Sequence, residues 1–263
     1  MQHFIWNIDP VLLHLGPLQV RWYGLLFVSS FFLGLYILQK IFKHENKNPD
    51  ILDNLLIYIL IGTVIGARLM HCIAYNPEYY LAHPLEILQI WKGGLASHGG
   101  LLGVLIALYL FTKRYNLSYV WLMSRLAIPG ALAATFIRIG NFFNSEILGI
   151  PTDKPWGVIF ERVDMVPRHP VQLYEAFAYF ILFVLLMILY RILKPETTTR
   201  LLAGLFFAYV FIARFFLEYL KEHQAEYTSS LPLSTGQMLS IPFIILGVVW
   251  TLWAIKSSKR LTK

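Results

Sequence analysis

The chain has little charge. Only 14% of its 263 residues are Asp, Glu, Lys or Arg, where a soluble domain carries roughly 25%. Hydrophobic residues supply 57%. That balance cannot cover a water-facing surface, so a soluble enzyme, a disordered tail and a fibrous repeat are excluded. Cysteine is nearly missing too. Cys72 stands alone, which rules out an intramolecular disulfide and a cysteine-built zinc site. No histidine or carboxylate pair has ligand spacing, so neither metal nor other cofactor is expected. Low-complexity tracts and internal repeats are also lacking. The net charge of +7 would suggest nucleic acid in a soluble chain. In a membrane chain it asks first on which side the charges fall, and no nucleic-acid partner is expected.

Long apolar runs are plentiful. About 20 residues at 1.5 Å rise cross the hydrocarbon core, and seven stretches qualify: Val20–Gln39, Ile51–Cys72, Ala96–Thr112, Tyr119–Ile137, Gln172–Tyr190, Leu201–Leu220 and Met238–Ile255. The expected fold is an all-α integral membrane protein with seven transmembrane helices, forming one polytopic domain over residues 1–263. The opening MQHFIWNIDPVLLHLG has no basic stretch before its apolar residues, so it reads as a short interfacial segment and not as a cleavable signal peptide. Basic residues set the orientation. Lys40, Lys43, Lys47, Lys113, Arg114, Arg191, Lys194 and Arg200, with Lys256, Lys259, Arg260 and Lys263 of the tail, fall on short segments of one side. Those facing the other way lie mostly on one long segment, 138–171. The first side is therefore cytoplasmic, with the N-terminus outside and the C-terminus inside.

Polar residues within the spans are the informative ones, because an ionisable group there costs about 2.5–3.5 kcal/mol on insertion scales. Arg125, near a cytoplasmic span end, is expected to snorkel. Arg68 lies deeper, beside a Gly62-x-x-x-Gly66 packing face, and reads equally as a structural ion pair or a substrate contact. Five clusters fall at outer ends: Trp22-Tyr23-Gly24, Ser97-His98-Gly99-Gly100, Arg138 through Glu146, Arg168 through Glu175, and Arg214 with Glu218 one turn on. Each alone has a bland reading, such as an interfacial anchor for Trp22 and Tyr23 or an i, i+4 salt bridge for Arg214 and Glu218. Their convergence on one face is what a single site would look like.

Together the motifs resemble one family. His98-Gly99-Gly100, the block Arg138-x-Gly140-Asn141-Phe142-x-Asn144-x-Glu146, the string Arg168-His169-Pro170-x-Gln172-Leu173-Tyr174-Glu175 and the late Arg214-Phe215-x-x-Glu218 look like those of the prolipoprotein diacylglyceryl transferases. Two departures stand out. The family's tyrosine four residues before the late arginine is Val210 here, with Tyr209 one place early, and Ser124-Arg125 stands where relatives often carry an aspartate.

The resemblance implies an inner-membrane, multi-pass bacterial enzyme. It would move the diacylglyceryl group of phosphatidylglycerol onto the lipobox cysteine of a preprolipoprotein signal peptide, releasing glycerol phosphate at the outer face. It is expected to work as a monomer without a cofactor. Arginine suits an anionic leaving group because its planar fork donates two parallel hydrogen bonds to phosphate. Arg138 and Arg214 are the candidates for that clamp. His98 is the natural base, expected at a helix start with Ser97 as N-cap; Glu146 or Glu175 could instead take the proton or orient an arginine. Asn141 and Asn144 can bond a glycerol headgroup, with Gly140 letting backbone approach it. Tyr23, Arg68, Arg168, His169, Gln172 and Glu218 complete the expected substrate-binding set. An anion or lipid transporter using the same arginines is the competing reading.

Overall fold

A computed structural model describes residues 3–16, 18–75, 77–222 and 233–261; Lys263, one of the tail residues used for orientation, lies outside them. In chain order the elements are β1 (Phe4–Trp6), β2 (Val11–Leu15), β3 (Leu18–Arg21), α1 (Trp22–His44), α2 (Leu52–Tyr75), α3 (Pro77–Ala82), α4 (Ser97–Arg114), α5 (Tyr119–Phe143), β4 (Val158–Phe160), β5 (Pro167–Arg168), α6 (Val171–Ile192), α7 (Pro195–Leu217) and α8 (Thr235–Leu261). They group into two compact units, 1–37 with 124–263, and 38–123.

The protein is mostly helical, and among the described residues six helical segments are long and apolar enough to cross a membrane: those of α1, α2, α5, α6, α7 and α8. Helix α4, the third expected span, has 18 residues. Its ends, Ser97-His98-Gly99-Gly100 and Lys113-Arg114, dilute an apolar middle, which keeps it out of that set.

The all-α class stands at the coarse level, with a few short strands beside the helices. In the first unit β1 runs parallel to β4, pairing Phe4 with Val158 and Trp6 with Phe160, and β4 pairs antiparallel with β5. Strands β2 and β3 form a hairpin in which Val20 faces Leu13. Val20 and Arg21 are thus strand residues, and the first helix starts at Trp22, whose N–H donates to Pro10 O at 3.0 Å. The hydropathy window ran into this hairpin because a short aliphatic strand and a helix end are indistinguishable by apolarity alone. Aromatic packing anchors the small sheet to the end of α5. Trp6, Phe142, Val158 and Phe160 form a buried cluster, with the Trp6 and Phe142 rings 4.4 Å apart and Phe142 to Phe160 at 5.5 Å. The segment between α5 and α6 is thus built against a hydrophobic core.

Arg125 does not snorkel. It is fully buried, its guanidinium lies 5.3 Å from the Tyr190 ring centroid, and Nη2 donates to Thr199 Oγ1 at 3.2 Å. Ser124 Oγ donates to Thr199 O at 2.8 Å, so the pair standing where relatives carry an aspartate ties α5 to α7.

The second unit rests on a close crossing of α2 and α4. A Cβ on Gly62 would come within 2.6 Å of Gly103 O, and one on Gly66 within 2.7 Å of Gly103 Cα. The Gly62-x-x-x-Gly66 face is met by Gly99-x-x-x-Gly103, so the packing reading of these glycines holds and the helix backbones touch without intervening side chains. Gly103→Val should therefore prise the pair apart. The expected result is a lowered melting temperature in detergent, with overpacking costing about 1–3 kcal/mol, whereas Gly100→Ala, whose Cβ would meet Thr63 at an ordinary 3.5 Å, should melt like the unsubstituted protein.

Candidate active site

The block Arg138 through Glu146 owes its shape to the way α5 ends. Ser145 lies in the left-handed region at φ +53°. The Ser145 N–H donates to Phe142 O and the Glu146 N–H to Asn141 O, both at 3.1 Å. These two bonds are a Schellman closure, which turns the chain back on the last helical turn. The closure returns Glu146 to Asn141, whose Nδ2 donates to Glu146 Oε1 at 2.7 Å; Asn144 Nδ2 reaches the same oxygen at 3.3 Å. Ile147 then adopts φ +57°, which a β-branched residue avoids and which costs of order 1–3 kcal/mol. Gln172, fully buried, donates from Nε2 to Glu146 O at 2.7 Å and pins that strained turn to α6.

Arg138 lies one turn before Asn141 on α5, and Nη1 donates to Asn141 Oδ1 at 3.2 Å. Its Nε meets Glu175 Oε2 at 3.0 Å, with the carboxylate side chain fully buried and the arginine 15% exposed. Glu175 Oε1 is held by Lys221 Nζ at 3.0 Å. Both oxygens of that carboxylate therefore face cations, which removes Glu175 from the candidate bases and makes it the residue that orients Arg138. One turn further along α6, Tyr179 is buried and lies within electrostatic reach of Glu175, Arg138 and Arg214. The two arginines expected to clamp a phosphate thus share a neighbourhood on the first unit.

Arg214 is half-buried on α7, and no ion pair to it occurs among the described residues. The i, i+4 salt bridge to Glu218 does not form. Glu218 caps α7, its N–H still donating to Arg214 O, and opens a tighter turn over Glu218–Leu220. Its carboxylate takes Lys221 at 3.1 Å instead. Tyr209 sits half-buried on α7, while the tyrosine within reach of both arginines is Tyr179. No motif quoted Tyr179, though its position four residues after Glu175 on the same helix face was a usable signal. Lys221 was equally unmarked, counted only as a basic residue of the outer side.

Tyr23 lies at the start of α1, half-buried and within electrostatic reach of Glu146 and Arg138. Its ring packs on Gly140, where a Cβ would come within 2.7 Å of Tyr23 Cδ2. Gly140 makes room for a tyrosine, not for a lipid headgroup.

Three other expected contacts are engaged within the protein. Arg168 is buried and pairs with Asp164 Oδ2 at 2.7 Å and with Glu222 at 3.2 Å, and it donates to Gly149 O at 3.3 Å. His169 Nδ1 lies 3.2 Å from the Tyr174 hydroxyl. In the second unit, Arg68 is 4% exposed and donates to the carbonyls of Glu86 (2.6 Å), Ile87 (2.9 Å), Gly93 (2.6 Å) and Gly94 (3.2 Å). That is the structural side of its two readings, with carbonyls in place of an ion-pair partner. His98 occupies the first turn of α4 and is exposed. The N-cap position there is Ala96, without a side-chain bond, and Ser97 is the first helical residue.

Comparison with known proteins decides the family. The prolipoprotein diacylglyceryl transferase family model matches residues 10–253. The chain belongs to this family. The phosphatidylglycerol–prolipoprotein diacylglyceryl transferase of Tolumonas auensis is 54% identical over 256 residues, covering 97% of this chain and 99% of its own. That of Chloroherpeton thalassium is 49% identical, covering 98% and 96%, and that of Bacteroides fragilis is 41% identical, covering 92% of each. Family membership gives the arginine network a chemical setting, since lipid phosphate is the anion such an enzyme must handle.

Outside the spans, the hydrogen bond from Arg168 holds the Asp164 carboxyl below its ordinary value of 3.8. A depressed carboxylate stabilises the fold above that ordinary value, and the contribution is lost as pH falls through the lower folded value. Amide exchange in the β4–β5 turn, corrected for intrinsic rates, should therefore rise on acidification below about pH 4. Asp164→Asn should exchange faster already at neutral pH and show no such acid step.

Proposed function

We propose that this protein transfers the diacylglyceryl group of phosphatidylglycerol to the lipobox cysteine of a preprolipoprotein. The thiol sulfur forms a bond to the glyceryl carbon, the carbon–oxygen bond to phosphate breaks, and glycerol phosphate departs with the bonding pair. The thiol proton passes to a base. The observation that carries the reading is the pairing of Arg138 and Arg214 around Tyr179. Arg138 is preoriented by Glu175 and Arg214 is unpaired among the described residues.

Charge grows on the phosphate oxygens as the bond to carbon breaks. Donors fixed beforehand stabilise that charge without reorganising at the moment of reaction. Arg138 is fixed through Nε and Nη1, and Arg214 supplies a second guanidinium that carries its charge to the lipid. Asn141 and Asn144 hold Glu146, and through it shape the turn beside Tyr23, where the glycerol headgroup is read. His98 is the proposed base: it is exposed, and neutral imidazole takes a proton from a thiol whose pKa is about 8.5. Arg68, Arg168, His169 and Gln172 serve as braces, the first for residues 86–94 and the others for the outer segment. An anion transporter has no support from the family.

The membrane arrangement follows the same reading. An 18-residue α4 is about 27 Å long, close to the hydrocarbon thickness. It packs along α2 from Gly99 to Ala107, so if α2 crosses the membrane α4 crosses beside it. That makes seven spans, with the N-terminus and the arginines at the outer face of the bacterial inner membrane, in a monomer.

Transfer of labelled diacylglyceryl from phosphatidylglycerol to a lipobox peptide tests the assignment. Arg138→Ala and Arg214→Ala should each lower the rate by roughly a hundredfold or more, the cost of one preorganised donor. His98→Ala should lose the neutral-pH rate and recover part of it as alkali ionises the thiol. A His98→Ala profile that overlays the unsubstituted one would remove His98 as base.

A further inference from the structure

Lys221 is held at both ends. Its backbone pairs with Gly149 in an antiparallel bridge, flanked by Ile150 N to Leu220 O at 2.9 Å and Glu222 N to Leu148 O at 3.0 Å. Its side chain is 9% exposed and lies between Glu175 Oε1 at 3.0 Å and Glu218 Oε2 at 3.1 Å. Glu218 is anchored independently by Ser234 Oγ, which donates to Oε1 at 3.2 Å. Ser234 in turn opens α8 with a capping box: Gln237 N donates to Ser234 Oγ at 3.2 Å and Ser234 N to Gln237 Oε1 at 3.0 Å. The ammonium is therefore positioned from two sides.

We propose that Lys221 is a positioning residue for diacylglyceryl transfer: by holding Glu175 Oε1, it keeps that carboxylate from closing a fork on Arg138 and leaves an Nη group of the arginine open to the lipid phosphate. This rests on the reading of Arg138 as a phosphate ligand. Arginine and a carboxylate, left to themselves, close into a fork with two parallel N–H···O bonds. Here Oε2 lies 3.0 Å from Nε but makes no hydrogen bond, so the fork stays unclosed. Without the ammonium, Oε1 becomes a buried acceptor lacking its partner, which is costly. A rotation of the carboxyl group brings it onto the Nη2 that lies beside Nε, closing the fork. The donor consumed in this way is one that the departing phosphate needs.

The test uses the full-length protein, labelled phosphatidylglycerol and a lipobox peptide. Lys221→Met should lower kcat roughly tenfold to a hundredfold, as expected for one lost charge-assisted hydrogen bond in the transition state, with KM for the peptide unchanged. Lys221→Arg, able to bridge both carboxylates, should restore transfer. Lys221→Gln, which keeps the volume and a donor, should fall in the same direction by less, and serves where the methionine variant does not fold. Once Glu175→Gln has removed the charge to be redirected, adding Lys221→Met should cost nothing further. Full kcat in Lys221→Met, or an equal loss in the Glu175→Gln background, would overturn the proposal. Full activity in Arg138→Ala would instead overturn the phosphate-ligand reading beneath it.

Discussion

A carboxylate with no exposed surface has to be neutralised where it stands, and Glu175 is the group on which this architecture turns. Its two oxygens demand two cations, and neither is close in sequence: Arg138 comes from the end of α5 and Lys221 from the extended residues after α7. Glu218 and Ser234 then extend the network to the start of α8. One buried charge thus couples four helices of the first unit at the end where they leave the apolar layer. Removing one partner of such a pair typically costs about 3–5 kcal/mol, more than most single side chains contribute. The network therefore constrains folding and sets the site at the same time.

The same economy governs the turn after α5. Its motif contains two asparagines and a glutamate at odd-looking spacing, and the spacing follows from the helix end. A residue five places on can return to the last turn only if the chain reverses in the left-handed region, and Ser145 does so. The strain at Ile147 is balanced by bonds from Asn141, Asn144 and Gln172. Backbone closure and the placing of Glu146 use the same side chains, and a substitution at either asparagine would loosen both.

Much of this was legible beforehand. Apolar runs located the helices, and polar residues near their ends marked the clusters worth tracing, because the cost of placing charge in hydrocarbon makes each exception informative. The motifs named the family. Partners were harder to read. The Arg214–Glu218 spacing suggested a salt bridge that does not form, because Glu218 takes Lys221 instead, and no motif marked that lysine although it is nearly buried. Tyr23 against Gly140 is a packing contact between segments far apart in sequence, which no local pattern shows. The first span was begun two residues early, at Val20 instead of Trp22, because a few aliphatic residues have no period long enough to separate strand from helix.

The arginines sort themselves by what takes up their donors. Arg68 spends its guanidinium on four backbone carbonyls, which holds a segment in shape but leaves nothing for a ligand. Arg168 is shared between Asp164 and Glu222, and Arg125 lies against Tyr190 and Thr199 in a fully buried position. Arg138 differs because its carboxylate partner takes it through Nε while a lysine occupies the other oxygen. Arg214 differs more, since among the described residues it has no anion at all. Along the chain Glu218–Lys221–Glu175–Arg138, two acids balance two bases. Arg214 lies outside that chain of pairs, and under the proposed transfer its charge is the one that meets the lipid phosphate.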